Sequence, residues 1–138
     1  MTQIGRVALV VLALVAMACG SSGGTGSLTE LQKVQVGALD VVLLSDDGAL
    51  GHDRDTFVVE FRSTPDGSLV DVGHVKTSAT MPMPGMPPMF GDIALSPTPV
   101  AGRYAGTSQL GMAGTWRLAI DWDGPVGTGS ATFSPMVQ

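Results

Sequence analysis

Trp116, Leu118, Ile120 and Trp122 alternate with Arg117, Ala119, Asp121 and Asp123. A period of two over eight residues puts one row of side chains in a core and the other in water, which is the pattern of a half-buried β-strand. Asp123-Gly124-Pro125 stops the run with turn chemistry. Phe57, Val59 and Phe61 alternate in the same way with Val58, Glu60 and Arg62. Val34 to Leu44 predicts a longer apolar strand whose phase slips near Gly37, as a bulge would make it do. Asp46-Asp47-Gly48 and Pro65-Asp66-Gly67 supply turns after the first and second strands. Four weaker strands are predicted over Val70 to Thr77, Ile93 to Leu95, Arg103 to Thr107 and Ser130 to Phe133. With 19 Gly and 9 Pro in 138 residues and no internal repeat, the chain suits turns better than a helix bundle. The expectation is an all-β domain over residues 31–138, a seven-stranded antiparallel immunoglobulin-like β-sandwich.

Residues 1–18 read as a lipoprotein signal peptide and not as part of the fold. Arg6 is the positive n-region, and Val7 to Ala18 is an unbroken apolar run. That run falls well short of the ~20 residues a membrane span needs. Small residues at Ala16 and Ala18 precede Cys19, and the segment resembles a bacterial lipobox, in which the Cys is acylated and becomes the mature N-terminus. The alternative is an ordinary secretory signal in which Cys19 is incidental. Residues 19–30 then form the acylated Cys and a Ser/Gly-rich tether. A chain of this kind is exported and held on a cell membrane by its lipid, facing the periplasm or the cell exterior.

Seven Lys plus Arg against twelve Asp plus Glu give a net charge of −5. Removing the signal takes Arg6 with it and leaves −6. An acidic surface argues against nucleic acid and anionic headgroups as partners. Hydrophobic residues at 44% exclude a disordered tail. Cys19 is the only cysteine, so once acylated it leaves no thiol for a disulfide, a zinc site or a nucleophile. Stability has to come from the core.

Four of the eight methionines crowd into Met81-Pro82-Met83-Pro84-Gly85-Met86-Pro87-Pro88-Met89. The prolines oppose a regular helix or a central strand and favour polyproline II, with three residues per turn. In that conformation Met83, Met86 and Met89 share one face, neighbours about 9 Å apart at ~3.1 Å rise per residue. Two thioethers converge across such a gap, and a third needs a bend, which Gly85 permits. Thioethers without thiolate select Cu(I) or its mimic Ag(I) over zinc and the hard cations. The same side chains also suit a hydrophobic plug or an adaptable docking patch.

Residues ~31–135 resemble the YtkA-like domain family, small exported β-sandwich domains related to FixH-like proteins. The resemblance rests on Met-Pro-Met-Pro-Gly-Met at 81–86, then Gly102-Arg103-Tyr104, then Gly111-Met112-Ala113-Gly114-Thr115-Trp116. Such domains occur alone as lipoproteins and fused to heavy-metal efflux adaptors, which implies copper or a related metal. The third motif also draws in Met112, four residues before Trp116. If the loop bearing Met112 shares an end of the sandwich with the Pro-Met segment, Met112 completes a thioether site with Met81, Met83 or Met86. Otherwise it caps the core beneath Trp116.

Two histidines complete the candidates. His52 lies in an acidic loop beside Asp53 and Asp55, a spacing that matches no calcium loop. His74 follows Val70 and Val72 on one predicted strand face. It reads either as a partly buried, backbone-bonded side chain or as a further ligand, since imidazole suits both copper oxidation states.

There is no nucleophile elbow, no phosphate-binding glycine loop and no His pair at helical spacing, so the chain is not expected to be an enzyme. Three functions remain. The first is an exported lipoprotein that binds Cu(I) or Ag(I) for buffering, transfer or efflux, with a metal efflux or oxidase-assembly protein as partner. The second is a non-enzymatic interaction module that uses the Pro-Met loop as a docking surface on a membrane complex. The third is a sacrificial methionine surface that scavenges oxidants. If Cys19 carries the anchor, Cys19→Ser moves the exported protein from the membrane fraction to the soluble one. Several acyl chains at about 0.8 kcal/mol per buried CH₂ hold it there. Fractionation of wild type and variant checks this, and a soluble wild type removes the lipobox reading.

Overall fold

The computed structural model describes residues 27–138. The signal segment, Cys19 and the first part of the tether lie outside the described residues. The rest is antiparallel β-structure, with no helix among the described residues. The strands are β1 (Thr29–Val36), β2 (Leu39–Ser45), β3 (Arg54–Ser63), β4 (His74–Met81) and β5 (Met89–Pro97). They continue with β6 (Arg103–Gln109), β7 (Gly114–Thr115), β8 (Arg117–Gly124), β9 (Gly127–Phe133) and β10 (Met136–Val137). Eight of them form one sheet in the order β1-β2-β3-β6-β5-β4-β8-β9, and β7 pairs separately with β10. The sheet curls until its two edges meet. The backbone N–H of Ser134, just past β9, donates to Gln32 Oε1 on β1 at 2.9 Å, so the molecule is nearly a barrel.

The strand count is therefore ten among the described residues, not seven. One of the three additional strands comes from Gly37. Val34 to Leu44 is not a single bulged strand: Val36 pairs with Leu39 across the two-residue turn Gly37-Ala38, with Gly37 at φ 60°. Glycine at the first central position is the preference of a type II′ hairpin. The phase slip in the sequence is thus a chain reversal. The real irregularity of that hairpin lies between Glu30 and Gln32. The predicted strand over Val70 to Thr77 is displaced as well. Gly73 at φ 79° interrupts it, so Val72 is buried, His74 is exposed, and β4 runs from His74 to Met81.

Alternation holds where it is clearest. Trp116, Leu118, Ile120 and Trp122 all enter the core, and Phe57, Val59 and Phe61 face them from β3. Phe61 packs edge-on against Trp122 at 5.2 Å between ring centroids and against Tyr104 at 5.4 Å. The Tyr104 hydroxyl donates to Gly73 O at 2.8 Å, which satisfies that polar atom at the edge of the aromatic group.

Strand β5 joins the two halves of the sheet. Met89 to Gly91 pair with β4, and Asp92 to Pro97 pair with β6. Gly91 stands at the changeover. A Cβ there would lie 2.5 Å from Leu110 Cδ2 and 2.9 Å from Trp116 Cζ3, so only glycine lets these two side chains seal this end of the core.

The inside–outside rule breaks in β2, where Val41 to Ser45 are all buried, and at one charged residue of β3. Glu60 has the opposite phase to Val59 and Phe61, yet it is buried. Its Oε2 accepts from Arg62 Nε at 2.7 Å, and its Oε1 accepts from Arg103 Nε at 2.9 Å. Burial pushes the carboxyl up, but the hydrogen bonds and charges of Arg62 and Arg103 together outweigh it, and the net pKa is lowered. A carboxylate whose folded pKa is depressed adds stability above its unfolded pKa, near ~4.3 for glutamate, and loses it as pH falls through the folded value. Glu60→Gln is expected to cost roughly 1.5–3 kcal/mol at neutral pH, the range for hydrogen bonds to charged groups. It should also flatten the fall in stability between pH 5 and pH 3, which denaturant melts across that window measure.

Candidate functional site

The Pro-Met segment is not a straight polyproline ladder. Met81 closes β4, Met89 opens β5, and the two are register partners. Between them Met83 O accepts from Met86 N at 3.1 Å, closing a turn over Pro84-Gly85 with Gly85 at φ 74°. Proline at the second and glycine at the third position is the type II signature. The chain therefore reverses at Gly85, the bend the sequence permitted. Met83 and Met86 bracket the turn, while Met81 and Met89 stand opposite each other at its base. Met81, Met83 and Met89 are half-buried, whereas Met86 is 62% exposed.

Met112 joins them. The register pairs Thr80 with both Phe90 and Arg117, and Asp92 with Gln109. The connection from β6 to β8 therefore crosses the same end of the barrel as the β4–β5 hairpin. Its glycines touch the methionines directly. A Cβ on Gly111 would lie 3.5 Å from Met89 Sδ, and one on Gly114 would lie 2.6 Å from Met81 Cε. Met112 sits between these two glycines with its side chain partly exposed. Its carbonyl accepts from Trp116 Nε1 at 2.9 Å. The indole thus fixes the backbone of the loop and leaves the thioether outside the core, instead of being capped by it.

Met136 was missed by the sequence reading. It pairs with Thr115 in the short β7–β10 ladder and is 62% exposed. The five residues between Ser130 and Met136 give no hint of that pairing, next to which Trp116 N donates to Pro135 O at 3.2 Å.

The histidines fall apart. His74 opens β4 and Met81 closes it, so seven residues at ~3.3 Å each separate them by roughly 23 Å. His74 lies instead in a shallow depression with Lys76, Asp121, Trp122 and Asp123 at the opposite end. His52 is on the β2–β3 connection, at the methionine end, because Arg54 pairs with Gln109. Its Nδ1 lies 2.8 Å from Gln138 O, a group that can only accept, so Nδ1 carries the proton. Nε2 faces Asp53 Oδ2 at 3.7 Å. Among the described residues no group of three or more His, Cys, Asp or Glu is placed to hold a metal ion. Chemically, what the methionine end offers is a set of soft, uncharged sulfur donors on two adjoining loops.

The motif Gly102-Arg103-Tyr104 has a different role. Gly102 O accepts from Phe61 N at 2.9 Å, Arg103 pairs with Glu60, and Tyr104 bonds Gly73 O. It holds the other end of the barrel together.

The family model described as YtkA-like matches residues 33–121, which include all three of these motifs. The chain belongs to the YtkA-like family. Neither the curated proteins nor the solved structures offer a match to it.

The two glycines flanking Met112 make separable predictions. Gly114 combines φ +139° with the Met81 contact, so Gly114→Ala should cost about 1–3 kcal/mol, the usual strain of a disfavoured backbone. Gly111 has an ordinary contact, and Gly111→Ala should melt close to wild type. Equal melting of the two variants would show that Gly114 is not held against β4.

Proposed function

We propose that this YtkA-like chain is a non-catalytic, exported lipoprotein that binds Cu(I), or Ag(I) in its place, through methionine thioethers. The metal is cargo, captured outside the cytoplasm and buffered or passed to an efflux or oxidase-assembly protein. The observation that carries the reading is the convergence of five methionines on one end of the barrel. Met81 and Met89 are paired at the base of a type II turn, Met83 and Met86 bracket it, and Met112 lies on the adjoining loop. Thioether sulfur favours Cu(I) because both are soft, and neutral donors leave zinc and the hard cations weakly held. Half-buried Met81 and Met89 supply a dry base, and exposed Met86 and Met112 supply access. Their positions do not include His74, which is too far along β4 to share the ion.

The fold reading goes with this. Strands β2-β3-β6-β5 and β4-β8-β9 follow the ABED and CFG order of an immunoglobulin sandwich, with β1 as an added edge strand. That correspondence supports an immunoglobulin-like ancestry for the barrel. A second function, docking on a membrane complex, draws support from Phe90, which is 76% exposed beside the Pro-Met loop.

Replacement of Met81, Met83, Met86 and Met89 together by Leu separates the two. Leu is close to Met in volume, and such swaps usually cost under ~1.5 kcal/mol each. The variant should fold and lose Cu(I) in an anaerobic competition titration against a colorimetric Cu(I) chelator. Among single changes Met83→Leu and Met86→Leu should weaken binding most, and Met112→Leu should weaken it partially. A quadruple variant that holds Cu(I) as tightly as wild type removes the thioether site. A wild type that binds none favours the docking surface.

A further inference from the structure

The end of the barrel that carries the methionines is also the end at which the chain enters the fold. Thr29, the first residue of β1, pairs with Ser45, the last of β2. From there the register runs through Leu44 with Val58, Arg54 with Gln109 and Asp92 with Gln109 to the Met81–Met89 pair. Gln32 on β1 is bonded to Ser134, two residues before Met136. Four large apolar side chains project from this end: Met86 and Met136 at 62% exposure, Phe90 at 76% and Met112 at 38%. The opposite end is built of turns carrying Asp66, Asp71 and Asp123. The methionine end carries carboxylates too, Asp46, Asp47, Asp53 and Asp55 on the β2–β3 connection. The four largest exposed apolar side chains are nevertheless gathered there, and among the described residues the other end exposes only Val100 and Val126.

We propose that the Met86–Phe90–Met112–Met136 end rests on the lipid surface to which the chain is tethered. The inference rests on the reading of Cys19 as the acylated residue. Ten residues connect Cys19 to Thr29. A Ser/Gly-rich tether of that length spans about 16–19 Å on average, at ~5–6 Å times the square root of the residue number. Strands of eight residues at ~3.3 Å each are about 26 Å long, and tilted by ~35–45° they make a barrel about 19–22 Å long. The average span of such a tether does not exceed the length of the body it holds, so the tethered end stays by the membrane and the far end points away. A weak apolar contact, insufficient for a free domain, becomes effectively intramolecular at millimolar local concentration. Aromatic and thioether side chains suit the interfacial zone, where apolar area is buried without crossing the bilayer. Asp46, Asp47, Asp53 and Asp55 at the same end disfavour anionic headgroups and restrict the contact to the apolar tips. In that orientation the thioethers open toward the membrane plane, and a metal leaving them meets the bilayer-level mouth of a membrane protein first.

The experiment uses full-length acylated protein in phosphatidylcholine vesicles. A nitroxide is placed by Met86→Cys in one sample and by Asp66→Cys, on the far turn, in another. Collision with oxygen, which concentrates in lipid, is compared with collision with a water-soluble nickel chelate. The expected result is a several-fold higher oxygen-to-nickel ratio at position 86 than at position 66. It should fall to the aqueous value at both positions when the vesicles are dissolved in detergent and the protein is cleaved from its anchor. Anchored protein with two aqueous labels overturns this inference alone. A label at 86 shielded from both reagents marks protein contact, by a second copy or the chain's own N-terminal segment, and overturns the lipid surface as occupant. Absence of the protein from the vesicles overturns this inference together with the anchor reading.

Discussion

Trp116 holds the arrangement on which the rest depends. Its side chain is fully buried, its indole N–H holds the carbonyl of Met112, and its backbone N–H holds that of Pro135. The ring closes the core against Gly91, where no Cβ stands in its way. One side chain thereby ties together the β6–β8 connection, the chain leading to β10 and the point where β5 changes partners. Burying an indole of 150–250 Å² at ~25 cal/mol per Å² gives roughly 4–6 kcal/mol of gross transfer energy. That is a large share of the stability of a domain this size. The methionine loops inherit their position from it.

The two ends of the barrel are stabilised by different physics. At the far end a buried carboxylate lies between two guanidiniums, and a tyrosine hydroxyl finds a backbone carbonyl. Each partner satisfies what burial would otherwise leave costly. At the methionine end the closing contacts are apolar: Leu50, Leu110, Trp116 and Val137 are buried, and Met81 and Met89 pack onto them. Thioethers suit this boundary because they are apolar enough to pack and soft enough to bind. The family motifs follow the same division. The Pro-Met and Met112 segments meet at one end, and Gly102-Arg103-Tyr104 secures the other.

This division gives the proposed activity a physical form. A metal site on an unsupported loop has to order its own ligands, which costs conformational entropy. Here the hairpin fixes Met81 opposite Met89, and the turn fixes Met83 against Met86 before any ion arrives. Met86 and Met112 stand exposed at the surface. The proposed site would thereby be arranged for capture and release instead of permanent retention.

Local pattern made much of this legible. The alternation around Trp122 and Phe61, the turns at Gly48 and Gly67 and the bend at Gly85 are properties of neighbouring residues, and each appears where the chain dictates. So does the family, through three short motifs. The rest was set by partners distant in sequence. Gly37 reverses the chain because Val36 finds Leu39 across it, whereas a phase slip alone reads equally as a bulge. Polyproline II geometry for 81–89 yields to a hairpin because β4 and β5 pair and draw Met81 back to Met89. His74 and Met81, seven residues apart in sequence, stand at opposite ends because an extended strand lies between them. Glu60 is buried because Arg62 beside it and Arg103 from another strand compensate its charge. Composition and periodicity thus determined which residues form strands and which carry soft sulfur. Only the pairing of strands, a long-range choice made by the core around Trp116, decided which of those methionines share an end of the barrel.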